Sequence, residues 1–298
     1  MSMPVEMIME QGSVAVGQWP DDERTLADSG FCWRERSGVK VLVCTALEAA
    51  GFANGFSTRL GGVSAIPENS LNLAGYNDDS EELIAENRRR FLNVVGDEFL
   101  LATVWQEHGD RIKLVKDDQD IPENDDKADA VASAMDGILA AVKTADCVPI
   151  LIGDTATRSF AAAHAGWRGT ALSIAKKAVK MLMREFGATP ENMITAIGPA
   201  ACGRNYEIGE DVMTAFREAF GDDVMRYFSP TRPGHALVDL HAVNRDQLIA
   251  AGIPDTAIFT APYCTMERDD IFFSYRKDRP KYGKTGRLLS VIGRSPSA

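Results

Sequence analysis

The stretch SFAAAHAGWRGTALSIAKKAVKMLMREFG, residues 159–187, reads as a strand, a turn and a helix in immediate succession. Residues 159–164 form an apolar run of strand length. Beyond the turn, Ile174, Ala178, Met181, Leu182 and Phe186 recur three and four apart, the spacing of one face of a helix. Thr170 is the expected N-cap and Gly187 the expected stop. A plain strand-to-helix turn needs a glycine and a cap. This one also holds an imidazole, an indole and a guanidinium, in His164, Trp167 and Arg168.

Strand-like runs lie on both sides of this unit, at 39–47, 53–58, 100–106, 111–115, 137–143, 148–153, 194–198, 272–276 and 287–293. A helix is expected from Asp79, as N-cap with Glu82 at N3, with Ile84, Phe91 and Val95 on its buried face. Further helices are expected at 209–220 and 240–251. Several strands come in succession and helices are added later. That order favours an α+β fold with layers around mixed sheets in a single domain, rather than strict βαβ alternation. Residues 1–30 are polar and irregular and read as an N-terminal extension, leaving 31–298 as the domain. No repeat or long Pro/Gly/Ser linker divides it.

The chain has 298 residues, 45% hydrophobic and 25% charged, which suits a globular domain with a sizeable core. Its formal charge of −11 argues against a nucleic-acid or anionic-membrane partner, since phosphates would be repelled. The N-terminal MSMPVEMIMEQG lacks the basic residue and the length of a signal peptide. The longest apolar run, 138–152, is broken by Lys143, Thr144 and Asp146, so no membrane span is expected. Five scattered cysteines (Cys32, Cys44, Cys147, Cys202 and Cys264) fit free thiols in a reducing cytoplasm.

Three residues at expected strand ends carry the chemistry: His108 in WQEHG, Cys147 in TADCVPI and His164 in HAGWRG. One thiolate and two imidazoles suit Zn²⁺ and leave a fourth tetrahedral position for water or substrate. Taken singly, a buried Cys or His is commonly a packing residue. Asp146, Trp167 and Arg168 beside them shift the balance, because charged groups at an apolar strand end are costly unless used. The same residues also suit a thiol hydrolase, with Cys147 as nucleophile and a histidine as base. In TRLGGVS, two glycines can offer N–H groups to an anion and Arg59 a fork for phosphate. GPAACGRNYEIG (198–209) places Cys202 and Tyr206 before a helix. GKTGR (283–287) lacks the leading glycine of a phosphate loop, and GxGxxG, HExxH, GxSxG and the deaminase HxE…PCxxC are absent. His235 and His241 flank Asp239, which reads as a helix cap.

FSTRLGGVS, LNLAGYND, ENRRRF, WQEHG, KTADCVPIL, HAGWRG, IGPAACGRNYEIG, VDLHAVN and CTMERDDIFFSYRKDRPKYGKTGR together resemble the laccase-domain, YfiH-like family from about residue 52 to 293. Its members have been called polyphenol oxidases and purine nucleoside phosphorylases, and some relatives peptidoglycan editing factors. The resemblance implies a four-layer sandwich and a zinc held by His108, Cys147 and His164, with copper as the alternative ion. It implies phosphorolysis of adenosine, inosine and methylthioadenosine, and deamination of adenosine; a cytoplasmic monomer or homodimer is expected. Cys147, His164 and Asp146 would be catalytic. Arg59, Asn72, Arg168 and Arg276 would hold the nucleoside and phosphate. Glu107 and Ala132-Ser133 depart from the family pattern without touching a ligand. A multicopper oxidase site, with its imidazole-rich trinuclear cluster, needs more than four histidines. The remaining reading is a binding module whose zinc has four protein ligands.

Overall fold

The computed structural model describes residues 19–65, 68–75, 79–96, 98–121 and 126–295. Two six-stranded sheets face one another. The first runs β1 (Phe31–Arg36), β2 (Val39–Cys44), β3 (Ala53–Ser57), β17 (Leu288–Gly293), β9 (Ile138–Thr144) and β6 (Leu100–Thr103). The second runs β16 (Ile258–Thr260), β12 (Met193–Ile197), β10 (Val148–Asp154), β11 (Phe160–Ala165), β8 (Ala130–Ser133) and β7 (Ile112–Val115). Both are mixed: β6 pairs β9 in parallel, as β7 does β8 and β16 does β12, and the other pairs are antiparallel. Two small sheets join β4 (Ser64–Ala65) to β5 (Glu68–Ser70), and β13 (Glu207–Gly209) and β14 (Phe228–Pro230) to β15 (His235–Val238).

Strand alternation builds the layers. Leu42, Cys44, Phe56, Ile138 and Ala140 of the first sheet meet Val131, Leu151, Phe160 and Ala162 of the second between the sheets. Val39, Val41 and Val43 point the other way, onto Phe91 and Val94 of α3 (Glu81–Val95). Val148, Ile150, Ile152, Ala161 and Ala163 face Ile174, Ala178 and Leu182 of α5 (Ile174–Phe186) and Val243 and Leu248 of α7 (Leu240–Ala250). The result is helix, sheet, sheet, helix: the four-layer α+β domain expected. α2 (Thr45–Ala49) and α6 (Glu210–Phe220) are further helices, and no helix among the described residues is long and apolar enough to cross a membrane.

Several expectations need correction. Residues 1–18 lie outside the described residues, and the stretch expected to be irregular holds a helix, α1 (Trp19–Asp28), whose Leu26 is buried in the inter-sheet core. The cap of α3 is Ser80, whose Oγ accepts from Leu83 N, while Asp79 accepts from the N–H of Ser80. Thr170 is not the cap of α5. It lies buried inside the short α4 (Trp167–Ala171), and its hydroxyl accepts from Asn244 Nδ2 at 3.0 Å. The chain breaks at Ser173, with φ 61°, before α5 starts, and Gly187 ends α5 with φ 71° as expected. FFSYR is no strand. Phe272 and Phe273 fill the core, and Ser274 caps α8 (Tyr275–Tyr282) by accepting from Lys277 N, because Asp278 returns a bond to the N–H of Ser274.

Packing requires both glycines of TRLGGVS. The Gly62 N–H donates to Asn69 O, and neighbouring N–H groups bond Thr58 Oγ1 and Asn87 Oδ1. A Cβ on Gly62 would stand 2.1 Å from Ser70 O and 2.3 Å from Leu71 Cα. Gly62→Ala is therefore expected to cost about 1–3 kcal/mol by overpacking. The reading is a lower urea midpoint with an unchanged slope.

Candidate metal centre

The topology collects the three residues at one rim. β6 and β9 are parallel neighbours, so their C-terminal ends lie together, and from both the chain crosses to the second sheet. The first crossing, 104–111, carries His108, and the second, 145–147, carries Cys147. β10 then starts beside the end of β11, with Pro149 opposite His164. Strand alternation puts His164 on the inter-sheet face with Phe160 and Ala162, one residue from the strand's end. The ligand atoms of His108, Cys147 and His164 all lie within 4.8 Å of one another, and the two rings meet edge to face at 4.9 Å.

One carboxylate holds this arrangement. Asp129, 1% exposed and immediately before β8, accepts from the backbone N–H groups of Glu107, His108 and Gly109 at 3.3, 2.9 and 2.7 Å. Its Oδ1 also accepts from His164 Nδ1 at 2.8 Å. That bond fixes the tautomer and leaves Nε2 as the ligand nitrogen. His108 sits at φ 59° and Asp146 at φ 85°, conformations that cost of order 1–3 kcal/mol for such residues and persist where the surroundings impose them. Here Asp129 imposes the first. The second is held by Ala201 N–H on the Asp146 carbonyl and by Thr265 Oγ1 and Arg276 N–H on its carboxylate, at 2.7 and 2.8 Å.

The electrostatics are those of an ion-binding cluster. Burial alone would raise the Cys147 thiol, but the charge of His164 and hydrogen bonds from His108 and His164 pull it down to about 6. Burial opposes charge on His164, yet Cys147 and Asp129 bring it up to about 9. Asp129 stays below the usual carboxylate range despite burial, through His164 and the loop N–H groups. Burial pushes Asp146 up against the bonds from Arg276 and Thr265.

The residues fit a divalent cation. The donors are one sulfur and two nitrogens, one imidazole has a carboxylate behind it, and the thiolate is already favoured. Gly166 makes room: a Cβ there would lie 3.1 Å from Cys147 Sγ and 3.1 Å from His108 Cδ2. Gly166→Ala should therefore lower metal content while the fold, followed by circular dichroism, stays intact.

The residues expected to hold substrate divide. Trp167, Arg168, Tyr206 and Arg276 line a cavity of about 390 Å³ that begins one residue beyond Gly166. The Arg168 guanidinium stacks on Trp167 at 4.3 Å and that of Arg276 on Tyr206 at 4.9 Å. Burial and the charge of Cys147 push the Tyr206 phenol up to about 12, keeping it a neutral donor. Arg59 instead lines a separate cavity of about 610 Å³ with Lys277, Asp278 and Lys281. It is 7% exposed, bonds the Asp269 and Phe272 carbonyls and pairs with Asp278 at 3.6 Å. Asn72 turns its oxygen to the N–H groups of Ala74 and Arg287, at 3.2 and 2.9 Å, and so ties loop to loop. Asp146, expected to be catalytic, has both carboxylate oxygens engaged. His235, which also lines the Arg168 cavity, and His241 lie outside the three-ligand cluster, against the carbonyls of Pro233 and Gly198, and Asp239 caps α7. Asp129 escaped the sequence reading. Its one signal is a lone carboxylate directly before an apolar strand.

Comparison with known proteins agrees with this architecture. The family described as multi-copper polyphenol oxidoreductase laccase matches residues 53–295. A protein of Deinococcus radiodurans named purine nucleoside phosphorylase is 39% identical over 242 residues, covering 80% of this chain and 87% of its own. Escherichia coli purine nucleoside phosphorylase YfiH is 34% identical over 256 residues, covering 85% and 98%. The crystal structure of YlmD from Geobacillus stearothermophilus superposes with a TM-score of 0.81 at 32% identity, over 90% of this chain and 99% of that one. With the match spanning most of the domain, the chain belongs to the laccase-like, YfiH family.

Proposed function

We propose that this protein is a zinc-dependent purine nucleoside phosphorylase, acting on adenosine, inosine and methylthioadenosine, that also deaminates adenosine. One observation carries the reading: three ligand atoms converge within 4.8 Å beside a cavity bearing two ring-stacked arginines. The relatives' names supply the substrate class. His108, Cys147 and His164 would hold the zinc. When bound, the ion supplies a Lewis acid and a means of generating a nucleophile from water near neutral pH.

The protein's own groups do the rest. Trp167 and Tyr206 hold the guanidinium groups of Arg168 and Arg276 flat, so their outer N–H edges are ready for an anion such as phosphate. Asp146 is a positioning residue, since it fixes the backbone of Arg276 and the turn before Cys147. The neutral Tyr206 hydroxyl is a donor for a ribose or purine acceptor. Arg168→Ala should raise the KM for phosphate roughly 10- to 100-fold, the worth of one charge-assisted hydrogen bond pair, with metal content unchanged.

The deciding experiment pairs metal analysis with a nucleoside panel, run with and without phosphate. Release of hypoxanthine from inosine only with phosphate is the expected result. One feature favours a second reading. Cys147 is hydrogen-bonded by both His108 and His164, the arrangement of a cysteine hydrolase that would edit a peptidoglycan precursor. Phosphate-independent release of an amino acid from such a precursor would establish it instead. Four histidines, two of them outside the three-ligand cluster, are too few for a trinuclear copper cluster, whereas a single copper suits the same three donors as zinc.

A further inference from the structure

Away from this rim's three ligands, a second group of metal-type donors comes together where two loops meet. Cys202 and Cys264 are far apart in sequence, but Ala200 and Cys264 form a parallel bridge and the N–H of Cys202 donates to Cys264 Sγ at 3.2 Å. Glu267 follows in the same turn. The ligand atoms of Cys202, Cys264 and Glu267 all lie within 4.8 Å of one another.

Asn205 completes the set. Its amide nitrogen faces all three, at 3.3 Å from Cys202 Sγ, 3.7 Å from Cys264 Sγ and 2.8 Å from Glu267 Oε1, and Cys202 Sγ lies 3.7 Å from that same oxygen. Tetrahedral zinc, with Zn–S of about 2.3 Å and Zn–O of about 2.0 Å, separates its ligand atoms by about 3.3–3.8 Å. Three of the four observed spacings fall within that range, and the fourth, Asn205 to Glu267, is shorter at 2.8 Å. An amide flip, which exchanges two atoms of equal size, turns the Asn205 oxygen inward as a fourth ligand.

Charge agrees with geometry. Two thiolates and a carboxylate carry three negative charges. A divalent ion and Arg204, which grips Glu267 through Nε and Nη2 at 3.2 and 2.9 Å, bring them to zero. Burial and the neighbouring Cys264 push the Cys202 thiol up. Bound zinc takes both as thiolates.

We infer that Cys202, Cys264, Glu267 and Asn205 form a second, structural site for a thiophilic divalent cation of the zinc class. Its place gives it a purpose. Ala201 N–H donates to Asp146 O, Thr265 Oγ1 donates to Asp146 Oδ1, and Thr265 N–H donates to Ala200 O. A metal that joins Cys202 to Cys264 therefore clamps the two loops that hold Asp146 at φ 85°, one residue before Cys147.

The test uses the full chain and reads metal, not turnover. Cys147→Ala protein, loaded with Zn²⁺ under reductant and desalted, should keep one zinc per chain. Co²⁺ in its place should give a sulfur-to-cobalt band in the near ultraviolet and intense tetrahedral visible bands. Adding Cys202→Ser and Cys264→Ser should abolish both. Glu267→Gln, which keeps both sulfurs and the fold, should weaken zinc retention against a chelator at least tenfold. Cys147→Ala protein that binds no zinc would overturn the proposal. So would a cobalt spectrum without the charge-transfer band, or a Cys202–Cys264 disulfide in the protein as purified.

Discussion

Replacing Cys147 with alanine is expected to remove one equivalent of zinc and to lower kcat/KM for inosine phosphorolysis by at least about 1,000-fold, the loss of several kcal/mol of metal-derived stabilisation. The sulfur is the one anionic donor in the cluster. Two imidazoles alone make a weak site, and His164 then loses the partner that faces Nε2. Little else should change. Cys147 lies half-buried in the crossing between sheets rather than in either core, so with metal removed from both proteins the unfolding free energy should change by less than about 1 kcal/mol, as for a substitution away from the main packing. Zinc content, turnover and unfolding, measured on one preparation, separate the roles. Unaltered zinc and turnover would take Cys147 out of the mechanism.

Asp129→Asn should weaken zinc binding roughly 10- to 100-fold, as loss of an outer-shell carboxylate does. The change also strikes the loop. The amide can still accept from His164 Nδ1 with its oxygen, but its NH₂ then faces the N–H groups of Glu107 and Gly109, donor against donor. Each buried donor left unpaired costs about 1–3 kcal/mol, so His108 should leave its left-handed conformation and the 104–111 crossing should loosen. Chelator competition reads the first effect and hydrogen exchange at Glu107 and Gly109 the second. Excess zinc should restore part of the activity by mass action. No recovery at saturating zinc, with the fold intact, would mean that Asp129 acts otherwise than by positioning the ligands.

Much of the molecule was legible in advance because it rests on local rules. The helix at 174–186 follows from its apolar spacing, and the strands at 148–154 and 160–165 from short apolar runs between turn residues. The donors His108, Cys147 and His164 were legible from residue type, because sulfur and imidazole at strand ends point to a soft cation. FFSYR was not legible. Its alternation suits a strand, but Asp278, four residues on, makes Ser274 a cap and the phenylalanines a plug in the core. Thr170 failed for a like reason, since its hydroxyl is taken by Asn244, 74 residues away.

By itself, then, the sequence determined which segments could be helix or strand, that the two-sheet core could be filled, and which side chains could bind metal. Each of these depends on a residue and its near neighbours. Only the tertiary structure decided that β6 and β9 run parallel, so that two crossings open on the same rim, and that Asp129 ties one crossing to the end of β11. It also decided that Arg168 and Arg276 share a cavity while Arg59 lines another, and that Cys202 meets Cys264. The physical reason is common to all of them. Contacts between distant segments are fixed by how whole sheets pair and pack, and no local pattern records which partner a side chain will meet.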